Sequence, residues 1–273
     1  MKQILVASDF SKSAANALAY AMELASILRR EVCVIHAIHP TEGINNSTYN
    51  AIFIEDYYNN KRQALKEWVS IFADNPIYAG VKVTTLCDVG FLKTVITNYI
   101  GTHDVDLLVM GVTGATGITG IVGSNASVLV AKVKIPTLIV PLESKFAKLP
   151  VITLATDFET QLTTTDVSAL NEMIKAFAPA KMQVLYVAEK LDPNRIQVGE
   201  SKFTTLIQHT ELEFNYIQDT STLNGIMAFV ESHSTDMLCL VKHHHNIMYR
   251  LFTRSTVNQV MNKSVKAILV LHE

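Results

Sequence analysis

Apolar and polar positions along the chain fall into short continuous apolar runs that alternate with longer amphipathic stretches. The first run, Ile4-LVA, leads through Ser8-Asp9-Phe10 into a stretch of helical periodicity, Ser11-KSAANALAYAMELA. Apolar runs of strand length follow at Glu31-VCVIHAI, Val81-KVTTLC, Val105-DLLVM and Pro136-TLIVP, with helical patterns between them, one near 57–73. Strands that alternate with helices predict βα units around a parallel sheet. Near-continuous apolar strands predict a sheet covered by helices on both faces.

The pattern then starts again. Val151-ITLATDF matches Ile4-LVASDF, so Thr156-Asp157-Phe158 matches Ser8-Asp9-Phe10, and a long amphipathic helix is expected after each. Lys181-MQVLYVA, a helical stretch near 198–211, Phe214-NYIQ and Lys266-AILVL continue the correspondence. Val230-ESHSTDMLCLVK mirrors Ile100-GTHDVDLLVMG. The repeat predicts two α/β domains, 1–145 and 146–273, each a doubly wound parallel sheet of about five strands, joined by the short linker around 144–149. The final strands, Thr137–Val140 and Ile268–Val270, are both apolar and are expected to meet, giving an internal pseudo-dimer. Association of two chains remains open.

Composition narrows the functional classes. The chain of 273 residues is 49% hydrophobic and carries a net charge of −2. That charge gives no footprint for nucleic acid. No apolar run approaches the length of a membrane span. The opening MKQILVASDF passes directly into a strand, so no signal peptide is expected. Cys33, Cys87 and Cys239 lie inside apolar runs without CxxC spacing, as small buried hydrophobes in a reducing, cytoplasmic setting.

Candidate chemistry concentrates after Val105-DLLVM. Gly111, Gly114, Gly117, Gly120 and Gly123 crowd thirteen residues and end at Ser124-NASVLVAK, the start of a helix pattern. Glycine permits close backbone approach, and a helix N-terminus presents unpaired N–H groups and a positive dipole end. Together they form the parts of a phosphate cradle, although a surface loop fits the same residues. In doubly wound sheets ligands bind beyond the carboxyl ends of the strands. Asp9, Ala37 and the glycine loop all lie at such ends. Asp9 has a second reading as the N-cap of the helix that follows, compatible with ligand contact, and Ser124 carries the same ambiguity. No Lys, Arg, Asp or Glu occurs from Gly111 to Val130. This favours binding over rapid phosphoryl transfer.

The pattern resembles the universal stress protein family in its tandem form. The resemblance rests on Asp9-Phe10-Ser11, on His103-DVDLLVMG and on the loop ending Gly123-Ser124 before a helix. It implies an adenine nucleotide, ATP foremost and possibly with magnesium, in the N-terminal half. Ser8, Asp9 and Ala37 would contact ribose or base, and Met110 and Gly111 would flank the ribose and first phosphate. Gly114, Gly123, Ser124, Asn125 and Ala126 would face the phosphates. Between Gly114 and Gly123 lie eight residues where the family motif has nine. In the second half the matching segment, Val241-KHHHNIMYRLFTRSTVNQV, has no glycine, and Arg254-Ser255 stands where Gly123-Ser124 stands. That site is expected to be degenerate. Function is therefore expected to be nucleotide-dependent conformation or partner choice, with at most slow hydrolysis. The alternative is a scaffold or apolar-metabolite module that has lost the phosphate site.

Three other features carry candidate chemistry. His243–His245 could join His233 in a zinc site but fit a solvated loop. His36 reads as packed, and His103 and His233 as helix-end cations. Tyr49, Phe53, Tyr57 and Tyr58 suggest a helix or lid over the sheet, or a partner surface.

Overall fold

A computed structural model describes residues 2–42, 51–112, 124–159, 161–178, 180–242 and 254–272. Contacts divide the chain into two compact units, Met1–Gly111 and Val112–Glu273.

The first unit contains β1 (Gln3–Ala7), α1 (Lys12–Leu28), β2 (Glu31–Ile38), α2 (Ala51–Ala73), β3 (Val83–Val89), α3 (Leu92–Thr102) and β4 (Val105–Val112), whose last residue falls across the division. The strands run parallel in the order β3-β2-β1-β4. Every residue of β1 is buried, the burial expected of a central strand with helices on both faces. The order reverses direction between β1 and β4, which makes their carboxyl ends the switch point.

The second unit contains α4 (Ser124–Lys132), β5 (Thr137–Pro141), β6 (Val151–Thr156), α5 (Ser168–Ala176), β7 (Lys181–Ala188), α6 (Pro193–Leu206), β8 (Leu212–Gln218), α7 (Thr222–Ser232), β9 (Met237–Lys242), α8 (Arg254–Lys263) and β10 (Ala267–His272). Its strand order is β5-β10-β9-β6-β7-β8. All neighbours are parallel except β5 and β10, which pair antiparallel through Ile139–Ile268, Leu138–Leu269 and Thr137–Val270. This is the strand contact expected from the two apolar runs, and it groups β5 with the second unit although the sequence repeat places it in the first half. The buried Lys242 adds to the grouping by donating from Nζ to the carbonyls of Val130 (3.0 Å) and Ala131 (2.8 Å), in the last turn of α4. The linker is packed as well: Ser144 is buried and the Phe146 ring lies 5.9 Å from that of Phe177.

One predicted element differs. The long helix expected directly after Asp157-Phe158 begins only at Ser168 and runs nine residues, against seventeen in α1. Three consecutive threonines, 163–165, are poor helix formers, and the Asp166 carboxylate accepts from both the backbone N–H (2.7 Å) and the hydroxyl of Thr163. Such local bonds compete with helical ones.

The three cysteines are buried and unbridged, and burial pushes their thiols up. His103 and His233 are the C-caps of α3 and α7. Each stacks on an aromatic ring one turn earlier, Tyr99 at 3.9 Å and Phe229 at 4.1 Å.

Buried and half-buried tyrosines give the fold an alkaline limit. The Tyr78 hydroxyl donates to Glu23 Oε1 at 2.9 Å; burial, then that carboxylate, pushes Tyr78 from 10.0 up to about 12. Burial also raises Tyr99, with Cys33 adding to it, and Tyr216, with Glu200 adding to it. The unfolded chain releases these protons first. The stability they contribute is therefore intact below pH 10.0 and lost as pH rises toward about 12. Thermal midpoints should fall across that window, and Tyr78→Phe should flatten the fall. A midpoint independent of pH there would contradict this.

Candidate functional site

The carboxyl end of β1 is built by side chain-to-backbone bonds. Ser8 extends the parallel ladder, its N–H donating to Ile35 O at 2.8 Å. Its buried hydroxyl accepts from Phe10 N–H at 3.2 Å. Phe10 takes a left-handed backbone conformation (φ 64°), unusual for a bulky residue and found where surrounding structure enforces it. Its ring packs 4.6 Å from His36 and 5.8 Å from Trp68. His36 is packed, as the sequence suggests. A carbonyl can only accept, so Nδ1 donates its proton to Ser8 O (2.9 Å) and the imidazole holds the turn from below.

Asp9 is exposed on top of this turn, and its Oδ1 accepts from Ser11 N–H at 3.0 Å. The helix cap is Ser11, whose Oγ accepts from Ala14 N–H at 3.1 Å. The N-cap reading of Asp9 is thereby corrected: two residues separate it from α1, and the residue immediately before the helix takes the role. The signal was present in the sequence, since a serine stands directly ahead of the first periodic residue.

Gly111 closes the other side of the switch point. A Cβ added there would lie 2.2 Å from Ser13 O and 2.7 Å from Ala14 N, so the β4 backbone passes directly against the first turn of α1. The adjacent Met110 is buried and registers with Ala7. The structure thus brings Ser8, Asp9, Met110, Gly111 and the N-terminus of α1 together. Ala37, half-buried near the end of β2 and registered with Asp88, is one strand further. Ser124 and Asn125 begin α4, and Ala126 is buried within it. Gly114, Gly123 and the rest of the glycine loop lie outside the described residues, as do His243–His245 and Tyr49; the side chain of Phe53 is likewise not described. Tyr57 and Tyr58 lie on α2, where the Tyr57 hydroxyl donates to Glu42 Oε2 at 3.0 Å.

The second unit repeats the turn and encloses it. Thr156 Oγ1 accepts from Phe158 N–H at 3.0 Å, Asp157 Oδ1 from Glu159 N–H at 2.9 Å, and Phe158 has φ 62°. Yet Asp157 is 2% exposed. Tyr186 stands where His36 stands and stacks on Phe158 at 4.8 Å. Gly199 of α6 is what admits the Phe158 ring, since a Cβ there would lie 2.2 Å from it. Arg195 pairs with Glu159 across the same end of the sheet. The counterpart of Gly111 is Val241. With α5 starting ten residues after Phe158, the second unit has no first helical turn at this point to demand a glycine.

A cavity of about 620 Å³ sits beyond β7, lined by Tyr186, Ala188, Lys190, Asp192 and Arg195 among others. Asp192 Oδ1 already accepts from Asn194 and Arg195 N–H, so the N-terminus of α6 is satisfied by the chain's own carboxylate. Among the described residues no cluster of three or more His, Cys, Asp or Glu side chains could hold a metal ion, and no helix is long and apolar enough to cross a membrane.

A parallel sheet of order β3-β2-β1-β4 with helices between its strands defines a Rossmann-like α/β protein. Residues 1–141 match the model of the universal stress protein family, just over half of the chain, and the protein belongs to that family. A search of curated proteins found no match. Among solved structures, a universal stress protein from Archaeoglobus fulgidus DSM 4304 is similar over 98% of this chain and 97% of its own, with a TM-score of 0.74 at 16% identity. A functionally unknown protein from Pseudomonas aeruginosa PAO1 covers 100% and 92%, with a TM-score of 0.62 at 12% identity. At these identities the likeness concerns the fold.

Proposed function

We propose that the N-terminal half, residues 1–145, binds an adenine nucleotide at the β1–β4 switch point, and that residues 146–273 form a second domain whose equivalent site is closed. The contrast between the two aspartates carries this reading. The turns around Asp9 and Asp157 are built alike, yet the first carboxylate is exposed, in the unit where Gly111 meets a capped helix start, while the second is buried in a turn whose Phe158 packs on Gly199 and whose Glu159 pairs with Arg195.

In the proposed site Asp9 accepts from ribose hydroxyls, the one chemistry an exposed carboxylate offers a neutral donor. Ser8 and His36 hold that turn, and the backbone at Ala37 borders the base. Met110 and Gly111 lie under the ribose and first phosphate. Gly114, Gly123, Ser124, Asn125 and Ala126 supply amides and the α4 dipole to the phosphates. No charged side chain lies between Gly111 and Val130, so a magnesium ion would be held by phosphate oxygens and water. The same lack of cations suits a binding protein acting through ligand-dependent conformation or partner choice in the cytoplasm, with slow turnover at most.

Isothermal titration with ATP, ADP and AMP, with and without magnesium, tests this. Binding tighter than about millimolar is expected for at least one of them, and Asp9→Ala should weaken it, since hydrogen bonds to charged groups contribute roughly 1.5–3 kcal/mol. Absence of binding by all three would favour a scaffold or apolar-metabolite module instead.

A further inference from the structure

Phe91 breaks two local rules at once. It is the N-cap of α3, a position that favours a side chain able to accept from the first turn, and it makes no such bond. The matching helix α7 has Ser221 there, accepting from Asn224 N–H at 3.3 Å. Phe91 is also a large apolar side chain that is 61% exposed. Local rules are broken most often where function requires it.

Its position is informative. Gly90 N–H donates to Ile38 O at 2.9 Å, so Phe91 follows directly on the paired carboxyl ends of β2 and β3. Its ring lies 5.1 Å from that of His39 at 83°, and His39 is two residues past Ala37. Strands in a sheet are spaced by about 4.8 Å, which puts the end of β3 roughly 14 Å from the end of β4. That span is comparable with an extended nucleotide whose ribose lies over Asp9 and whose first phosphate lies at Gly111.

We propose that Phe91, braced edge-to-face by His39, is the stacking face for the base of the ligand. The proposal rests on the nucleotide reading above and adds the residue that recognises the planar heteroaromatic ring. The cost of an exposed phenylalanine and an uncapped helix is then offset when a base covers the ring, in the way aromatic platforms hold single bases. The second half has a serine at the matching cap.

The test uses Phe91→Ser and Phe91→Trp in the full-length protein, titrated with ATP and with tripolyphosphate, which has no base. Phe91→Ser supplies a cap and removes exposed apolar surface, so its thermal midpoint should equal or exceed that of the parent. ATP affinity should fall about ten-fold, with tripolyphosphate affinity unchanged. Phe91→Trp should bind ATP as the parent does, with tryptophan fluorescence quenched beyond the change seen for Trp68 alone. Unchanged ATP affinity in Phe91→Ser overturns the proposal while leaving the nucleotide reading intact, and would suit a protein-contact role for the ring. Equal loss of ATP and tripolyphosphate also overturns it. A parent that binds no ATP overturns both readings.

Discussion

Gly111→Ala is expected to be among the most destabilising single-methyl changes in this chain. The added carbon would sit 2.2 Å from Ser13 O, 2.3 Å from Ser13 C and 2.7 Å from Ala14 N. All three are backbone atoms in the capped first turn of α1, so no side chain can rotate away. Either β4 or the start of the helix must shift, and both are tied into the fold: β4 by its ladder to β1, the helix by Ser11. Overpacking of interiors costs about 1–3 kcal/mol, and a backbone clash belongs at or above the top of that range. A loss of roughly 3 kcal/mol is a large share of the 5–15 kcal/mol that holds ordinary domains folded. Denaturant midpoints measure it directly. Gly101→Ala is the control: a Cβ there meets nothing within 4 Å, and within α3 alanine should raise stability by up to about 1 kcal/mol. Equal midpoints for Gly111→Ala and the parent would refute the close approach.

The second large effect is expected in β10. Leu269 is fully buried and lies between two partners, Cys239 of β9 and Leu138 of β5. Leu269→Pro removes a backbone donor from a strand paired on both sides, a position proline does not occupy in natural sheets. The apolar β5 and β9 edges would then be exposed, and exposed edges invite association. Loss of the parent's soluble species and aggregation are the expected outcome by sedimentation. Leu269→Ile, which keeps the volume and the donor, should cost less than about 1.5 kcal/mol and remain soluble. If the proline variant sediments and melts like the parent, the β5–β10 ladder does not hold the second unit together.

The strands were the most legible part of the fold. Runs such as Val105-DLLVM and Met237-LCLV have the apolar continuity of strands in a doubly covered sheet, and the repeat of Asp-Phe after the first strand of each half marked the two domains. The repeat misled at α5. The match to the first half extended a helix across Thr163–Thr165, but their β-branching, with Asp166 bonded to Thr163, delays the helix to Ser168.

Site residues split in the same way. Asp9 and the carboxyl end of β4 were readable from spacing, because a short strand fixes where its last residue stands. The burial of Asp157 was not, because the turn that holds it is packed by residues some forty positions further on, Gly199 against Phe158 and Arg195 against Glu159. Gly111 was legible as a place of close approach, although the group it approaches in this structure is the first turn of α1. Phe91 gave no periodic signal at all; its meaning comes from the N-cap it leaves unfilled and from His39, which the β2–β3 pairing brings beside it.

The proposed function requires one open site and one closed site in a single chain. Native mass spectrometry of the freshly purified protein, then titrated with ATP, counts bound nucleotides directly. One adenine nucleotide per chain is the predicted result, bound more weakly in Asp9→Ala and as in the parent in Asp157→Asn. Two per chain, or none at millimolar ATP, would contradict it.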